Sequence, residues 1–141
     1  MVRARIVYDA KRKKEKSQEE DTDTSPDQST NIRSNNTDTD NSVGIGYAAL
    51  GGADSTSAAD GSVGIGYYSL YALTSGIGNV AIGSGSLAAN ATSDLNTAVG
   101  TNALSKLTKD GTGSNTAVGY QAGMAITTGH TNQLFGRGAG S

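Results

Sequence analysis

The chain has 141 residues with a net charge of −2, 17% charged side chains, one histidine and no cysteine. This composition excludes a disulfide scaffold, and so small a net charge predicts neither nucleic-acid binding nor attraction to a charged membrane. No apolar stretch approaches the roughly 20 residues of a membrane-spanning helix, and the first residues lack the apolar run of a secretory signal, so we expect a soluble protein without membrane insertion.

A sharp change of composition near residue 40 predicts two parts. Residues 1–40 contain 8 of the 11 basic residues, 9 of the 13 acidic residues and no glycine, whereas residues 41–141 contain all 20 glycines. Residues 21–40 have almost nothing to bury in a core and are expected to be disordered when alone. We interpret residues 1–40 as a polar, extended arm that anchors the chain to a partner, and residues 41–141 as a repeat domain.

The segment VRARIVY near the start of the arm predicts one short strand, because its apolar residues alternate loosely with polar ones. Such a strand could dock by addition to the sheet of another protein. The anchor residues predicted on this basis are Val2, Arg3, Ala4, Arg5, Ile6, Val7 and Tyr8. The basic run KRKKEK lies directly before an acidic run, which favours a solvated stretch of mixed charge over nucleic-acid binding.

Six copies of one nine-residue phrase occupy the rest of the chain. They are SVGIGYAAL, SVGIGYYSL, NVAIGSGSL, NTAVGTNAL, NTAVGYQAG and NQLFGRGAG, starting at residues 42, 62, 79, 96, 115 and 132. The steps between starts are 20, 17, 17, 19 and 17 residues. A short, nearly constant period is typical of a solenoid in which each repeat forms one coil.

The pattern inside the phrase predicts strands rather than helices. Positions 2 and 4 are mostly β-branched, position 3 is small, and position 5 is glycine in all six copies. A glycine fixed after a short strand predicts a corner with positive φ or a close backbone approach. Position 9 is leucine in four copies and offers a second apolar point for closing the coil. We therefore predict an all-β fold, a parallel β-solenoid (β-roll or β-helix) of about six coils of 17–20 residues.

The phrases NTAVGTNAL and NTAVGYQAG resemble repeats of bacteriophage tail fibres, and SVGIGYAAL and NVAIGSGSL are similar to the head repeats of trimeric autotransporter adhesins (YadA-like). The resemblance covers about residues 42–141 and implies a β-solenoid intertwined or packed as a homotrimer. It also implies that the aliphatic strand residues face inward. The structural core would then comprise Val43, Ile45, Val63, Ile65, Val80, Ile82, Val99, Val118 and Phe135.

Two departures from the adhesin pattern favour a virion fibre over a cell-surface adhesin. The steps are longer and less regular than those of adhesin heads, and we find neither a signal peptide nor a C-terminal membrane anchor in the chain. The expected function is thus a structural and adhesive fibre on the exterior of a bacteriophage particle. The expected partners are two further copies, a virion protein bound by the arm, and a glycan or protein of the host surface.

The tyrosines are the candidates for surface contact. Tyr47, Tyr67 and Tyr120 share position 6, just past the glycine corner, and Tyr68 lies beside one of them. Aromatic rings on a surface rich in Gly, Ser, Thr and Asn can stack on sugars or contact a protein. The alternative, that they fill contacts between the chains of a trimer, is favoured at least as strongly.

Other motifs do not predict catalysis, a cofactor or a metal site. GIGYAA partly matches a dinucleotide-binding fingerprint, but another phrase begins where that motif needs a helix. His130 is the single histidine and is interpreted as a loop residue. The calcium-loop pattern starting at Asp21 has Pro26 and Ile32 where glycine and glutamate are required.

Three other function classes remain as alternatives to the fibre. A bacterial cell-surface adhesin head fits the resemblance. A solenoid that binds ice or carbohydrate is the second alternative, although ice binding would need flat rows of threonine, of which only Thr97 and Thr116 match. A hexapeptide acyltransferase is the third, although the aliphatic residue required at every sixth position is missing after Ile82 and Val99. We therefore do not expect an enzyme.

Overall fold

The structure is a computed structural model and describes residues 32–34, 42–51, 61–108 and 110–141. It is an all-β chain, and the predicted parallel β-solenoid is confirmed. The described strands are β1 (Ile32–Ser34), β2 (Val43–Ile45), β3 (Val63–Ile65), β4 (Val80–Ile82), β5 (Ser93–Asp94), β6 (Thr97–Val99), β7 (Gly111–Thr112), β8 (Thr116–Val118) and β9 (Gln133–Phe135).

One strand from each phrase stacks on the strand of the next phrase. The order in the main sheet is β1-β2-β3-β4-β6-β8-β9, and every pair from β2 to β9 is parallel. The register places like positions over one another, for example Val63 over Val80 and Ile65 over Ile82. A second, two-stranded parallel sheet pairs β5 with β7 in the loops between phrases.

Strand β1 pairs with the outer edge of the first coil rather than forming a coil of its own. It pairs with β2 in the antiparallel direction, with Ile32 opposite Ile45 and Ser34 opposite Val43. Because β1 occupies the free edge of β2, the sheet does not offer that edge for pairing with another chain. The predicted docking strand at residues 2–8 lies outside the described residues, as does most of the arm.

The glycine at position 5 forms the predicted corner. All six of these residues have φ between 113° and 136°, a region that L side chains rarely adopt. The corner is also a site of close approach. A Cβ added to Gly83 would lie 2.7 Å from the carbonyl carbon of Gly100 in the next coil, so both reasons for the glycine apply.

The interior of the coil is lined by positions 1, 3, 8 and 9. Leucines at position 9 form a buried column in which Leu70, Leu87 and Leu104 have no exposed surface. Small residues face them from the strands, and Ala81, Ala98 and Ala117 are also fully buried. The four leucines at position 9 have φ between 49° and 55°, so burial holds them in a left-handed conformation that is costly for non-glycine residues.

A ladder of asparagines at position 1 crosses the same interior. The backbone N–H and the side-chain Nδ2 of each asparagine donate to Oδ1 of the asparagine one coil earlier, at 2.9–3.1 Å. The ladder runs through Asn79, Asn96, Asn115 and Asn132, and Ser62 extends it by accepting from the N–H of Asn79. A buried polar group stabilises a fold only when it is hydrogen-bonded. Here the asparagine Oδ1 of one coil accepts the hydrogen bonds that the asparagine of the next coil donates.

Candidate functional site

The β-branched residues of the strands lie on the outer face of the main sheet. Side chains of positions 2 and 4 point away from the interior, since position 3 points into it and successive residues alternate. The structure leaves Val43 37%, Ile82 38% and Phe135 67% exposed. The other aliphatic residues of these two rows, Ile45, Val63, Ile65, Val80, Val99 and Val118, are half-buried.

The prediction that these residues form the structural core is therefore wrong for the single chain. The correction applies to Val43, Ile45, Val63, Ile65, Val80, Ile82, Val99, Val118 and Phe135. The physical reason is the narrow cross-section of the coil. A Cβ added to Gly44 would lie 3.2 Å from Cδ1 of Leu50, so only Gly or Ala fits opposite the leucine column in most coils.

We name the two rows the outer aliphatic face, defined by positions 2 and 4 of β2, β3, β4, β6, β8 and β9. Its six strands are hydrogen-bonded to one another along the full stack, so the face is continuous from β2 to β9. Polar residues interrupt it only at position 2 of the last three strands, where Thr97, Thr116 and Gln133 stand. A continuous aliphatic face on a monomer is typical of a surface that another protein covers.

Four tyrosines form an exposed cluster on the first two coils, and we name Tyr47, Tyr67, Tyr68 and Tyr71 the tyrosine patch. Tyr47 and Tyr67 occupy position 6 of successive coils and stack with centroids 5.5 Å apart at 14°. Tyr68 contacts Tyr67 at 4.4 Å and Tyr71 at 4.5 Å between ring centroids. The exposed fractions are 43% for Tyr47, 57% for Tyr67 and 42% for Tyr71, so the cluster presents aromatic surface to solvent.

The electrostatic environment of the patch is set by its own phenols. The neighbouring Tyr67 phenol raises the pKa of Tyr68 above the ordinary tyrosine value, and loss of hydration and the Tyr47 and Tyr71 phenols raise it further. The raised pKa favours the neutral form of the Tyr68 phenol. The patch can offer ring edges, ring faces and hydroxyl groups to a ligand, without a charge.

The structure brings together only part of the predicted contact set. Tyr47, Tyr67 and Tyr68 are adjacent, whereas Tyr120 lies three phrases further along the stack and contacts Arg137, whose Cζ is 5.7 Å from the ring centroid. Tyr71 was not predicted, because it follows the nine-residue phrase and has no equivalent at the same place in the other repeats. The turn over residues 67–72 brings its ring against that of Tyr68.

His130 is exposed, and its Nδ1 lies 2.7 Å from Oγ1 of Thr131. The described ranges contain no group of three His, Asp or Glu side chains placed to hold a metal ion. In the same ranges, no helix has the length and apolar character needed to cross a bilayer.

Comparisons with known proteins identify no relative: no family model, no curated protein and no solved structure matches the chain.

Proposed function

We propose that this chain is a structural and adhesive fibre protein of a bacteriophage virion. Three copies associate through their outer aliphatic faces, the arm attaches the trimer to the particle, and the solenoid projects outward. The single observation that carries the proposal is the outer aliphatic face, two rows of mostly Val and Ile on a continuous sheet that the described residues leave exposed or only half-buried.

Self-association accounts for this face better than exposure to water does. Full burial of an exposed Val or Ile side chain contributes roughly 1.5–3 kcal/mol. Most residues of this face are already half-buried, so each contributes only part of that value, and the drive for association is the sum over two rows. Each chain has one such face, and identical chains that use one face around a common axis form a closed ring. The choice of three copies follows from the resemblance to trimeric fibre and adhesin repeats.

The tyrosine patch is proposed as a contact with the host surface. It lies on the first two coils, is exposed and is uncharged, which suits a glycan or a protein surface. Several weak contacts on one particle would add through multivalency, because each trimer presents three patches.

Light scattering coupled to size exclusion tests the assembly. The full chain should have three times its mass of 14.2 kDa. Ile82→Asp places a charge at the centre of the outer aliphatic face and should yield a monomer with an unchanged circular dichroism spectrum. Ser84→Asp places the same charge on an exposed residue at position 6, outside that face, and should remain a trimer. A monomeric wild-type chain would overturn the proposal.

Immunogold electron microscopy tests the location. Antibodies raised against the repeat domain should label the exterior of purified phage particles. Label on the envelope of uninfected bacteria would instead favour the adhesin alternative. Label confined to the bacterial interior would contradict both.

A further inference from the structure

Four of the six tyrosines of the chain contact one another in the tyrosine patch, and we propose that the patch is a site of oxidative cross-linking. The cross-link joins Tyr47 of the first coil to Tyr67 of the second coil as a dityrosine. The co-reactant is a peroxide, used by an enzyme that removes one electron at a time from phenols. The link lies within one chain, so it depends on neither the trimer nor contact with a host surface.

The backbone of the solenoid holds Tyr47 and Tyr67 in register. Both residues occupy position 6, and the N–H of Tyr68 donates to the carbonyl of Tyr47 at 2.9 Å. The corner glycines before them also approach closely, since a Cβ added to Gly46 would lie 3.0 Å from the carbonyl carbon of Gly66. Equivalent residues of neighbouring strands lie about 4.8 Å apart. The two rings accordingly stack, with centroids 5.5 Å apart and planes inclined by 14°.

This stacked pair suits the coupling of two tyrosyl radicals. The unpaired electron of such a radical is shared between the phenol oxygen and ring carbons that include Cε1 and Cε2. Two radicals couple by forming a bond between one Cε carbon of each ring, and the bond forms through the ring faces. Tyr47 and Tyr67 already face each other with nearly parallel planes, and both rings are exposed. Small rotations of the side chains can therefore bring two Cε carbons together while the backbone stays in place.

The reaction needs no group of the protein besides the two phenols. Each phenol gives up one electron and one proton and becomes a radical. The two radicals form one carbon–carbon bond, and each ring then transfers the hydrogen of its coupled carbon to its oxygen as a proton, which restores both phenols. One molecule of hydrogen peroxide accepts the two electrons and the two protons and is reduced to two molecules of water.

Tyr68 and Tyr71 enlarge the group of phenols that a first oxidation can reach. The ring centroid of Tyr68 lies 4.4 Å from that of Tyr67, 4.5 Å from that of Tyr71 and 5.8 Å from that of Tyr47. An unpaired electron formed on one of these rings can pass to a ring in contact with it, since the phenols are chemically alike. The planes of these three pairs are inclined by 40° to 48°, so their ring faces are less well placed to couple than those of Tyr47 and Tyr67.

The cross-link would tie the first two coils together covalently in a chain that has no cysteine for a disulfide. A covalent link between distant residues stabilises a fold by restricting the unfolded chain. Tyr120 provides an internal comparison, because it occupies the same position 6 and is exposed. Its neighbours at position 6 are Thr101 and Arg137, which have no phenol to couple.

The test oxidises the full chain with hydrogen peroxide and a haem peroxidase over a series of protein dilutions. Proteolysis before each aspartate then separates Tyr47, in residues 40–53, from the other three tyrosines of the patch, in residues 60–93. Mass spectrometry should find these two fragments joined, at a yield that does not change with dilution, and the intact product should migrate as a single chain in a denaturing gel. A yield that falls in proportion to dilution, or a product found only as covalent dimers and trimers, would overturn the proposal.

Three variants separate the stacked pair from general oxidation of tyrosine. Tyr47→Phe and Tyr67→Phe keep the aromatic ring but remove the hydroxyl group that must be oxidised, so each should abolish the joined fragments. Tyr120→Phe should leave their yield unchanged. In the wild type, oxidation should also slow hydrogen exchange at the amides of Val43 and Gly66, which pair the first two coils at 2.9 and 2.8 Å. Joined fragments that persist in Tyr67→Phe would assign the link to another ring and contradict the proposal.

Discussion

Asn96 donates two hydrogen bonds to one atom of Asn79: its backbone N–H and its Nδ2 each lie 3.0 Å from Oδ1 of Asn79. Both polar atoms of the Asn96 side chain make further hydrogen bonds. Nδ2 contacts Oγ of Ser93, and Oδ1 accepts two bonds from Asn115. A single buried side chain therefore joins three successive coils.

Replacing Asn96 with alanine should destabilise the fold by about 3 kcal/mol, because the buried backbone N–H of Asn115 would lose its acceptor and Nδ2 of Asn115 would keep only its bond to the Gly129 carbonyl. Asn96→Asp should be worse at neutral pH, since it buries a charge beside the Oδ1 of Asn79. Urea unfolding followed by circular dichroism measures both. Thr101→Ala, on an exposed residue of the same phrase, should change the unfolding free energy by less than about 0.5 kcal/mol. If Asn96→Ala matched that control, the ladder would not contribute to stability.

In the leucine column, substitution by glycine should destabilise the fold less than substitution by alanine. Leu87 is fully buried with φ of 49°, so Leu87→Ala should cost about 2–5 kcal/mol through lost burial. Glycine usually destabilises an ordered position more than alanine does. At residue 87, glycine should destabilise the fold about 1 kcal/mol less than alanine does, because glycine adopts the left-handed conformation without strain. Thermal unfolding of the two variants checks the order, and a Leu87→Gly chain less stable than Leu87→Ala would contradict the strain argument.

Alanine substitutions at two corner glycines separate the effect of positive φ from the effect of close approach between coils. Gly83 and Gly136 both have positive φ, at 126° and 113°, so alanine at either should cost about 1–3 kcal/mol in backbone strain. Only Gly83→Ala adds a collision with the next coil. Its unfolding free energy should therefore fall further than that of Gly136→Ala. Equal losses would mean that φ alone, and not close approach, requires the glycine.

The tyrosine patch predicts a pH effect in the alkaline range. The pKa of Tyr68 is raised above the ordinary value of about 10, mainly by Tyr67, so the fold favours the neutral phenol. The stability from this group is present below about pH 10, where the unfolded phenol starts to ionise, and is lost as pH rises through the folded pKa. Titration of ¹³Cζ-labelled tyrosine by NMR should show that Tyr67→Phe lowers the pKa of Tyr68. Tyr120→Phe, outside the patch, should leave it unchanged.

Much of the architecture could be predicted from the sequence because it depends on local rules. The recurrence of one phrase indicated stacked coils in fixed register, and the glycine at position 5 indicated a corner with positive φ. The leucines at position 9 were also correctly expected to close the coil. Each of these inferences needs only the spacing of residues along the chain.

The candidate surfaces could be predicted less well, because they depend on contacts between segments. The shared position of Tyr47 and Tyr67 was visible in the sequence, but the contact of Tyr71 with Tyr68 depends on the path of the turn over residues 67–72. The covering of β2 by β1 joins a segment of the arm to the repeat domain, and nothing in the composition of residues 32–34 distinguishes it. The asparagine ladder had a signal, since Asn stands at position 1 in four of the six phrases.

The alternation of the strands by itself determined that positions 2 and 4 share one face and that positions 1 and 3 share the other. Only the tertiary structure decided which face is inside. The rule that large aliphatic residues are buried assigned Val80 and Ile82 to the interior. The leucine column and the asparagine ladder already fill that interior, and the coil is so narrow that Ala81 is the residue that fits.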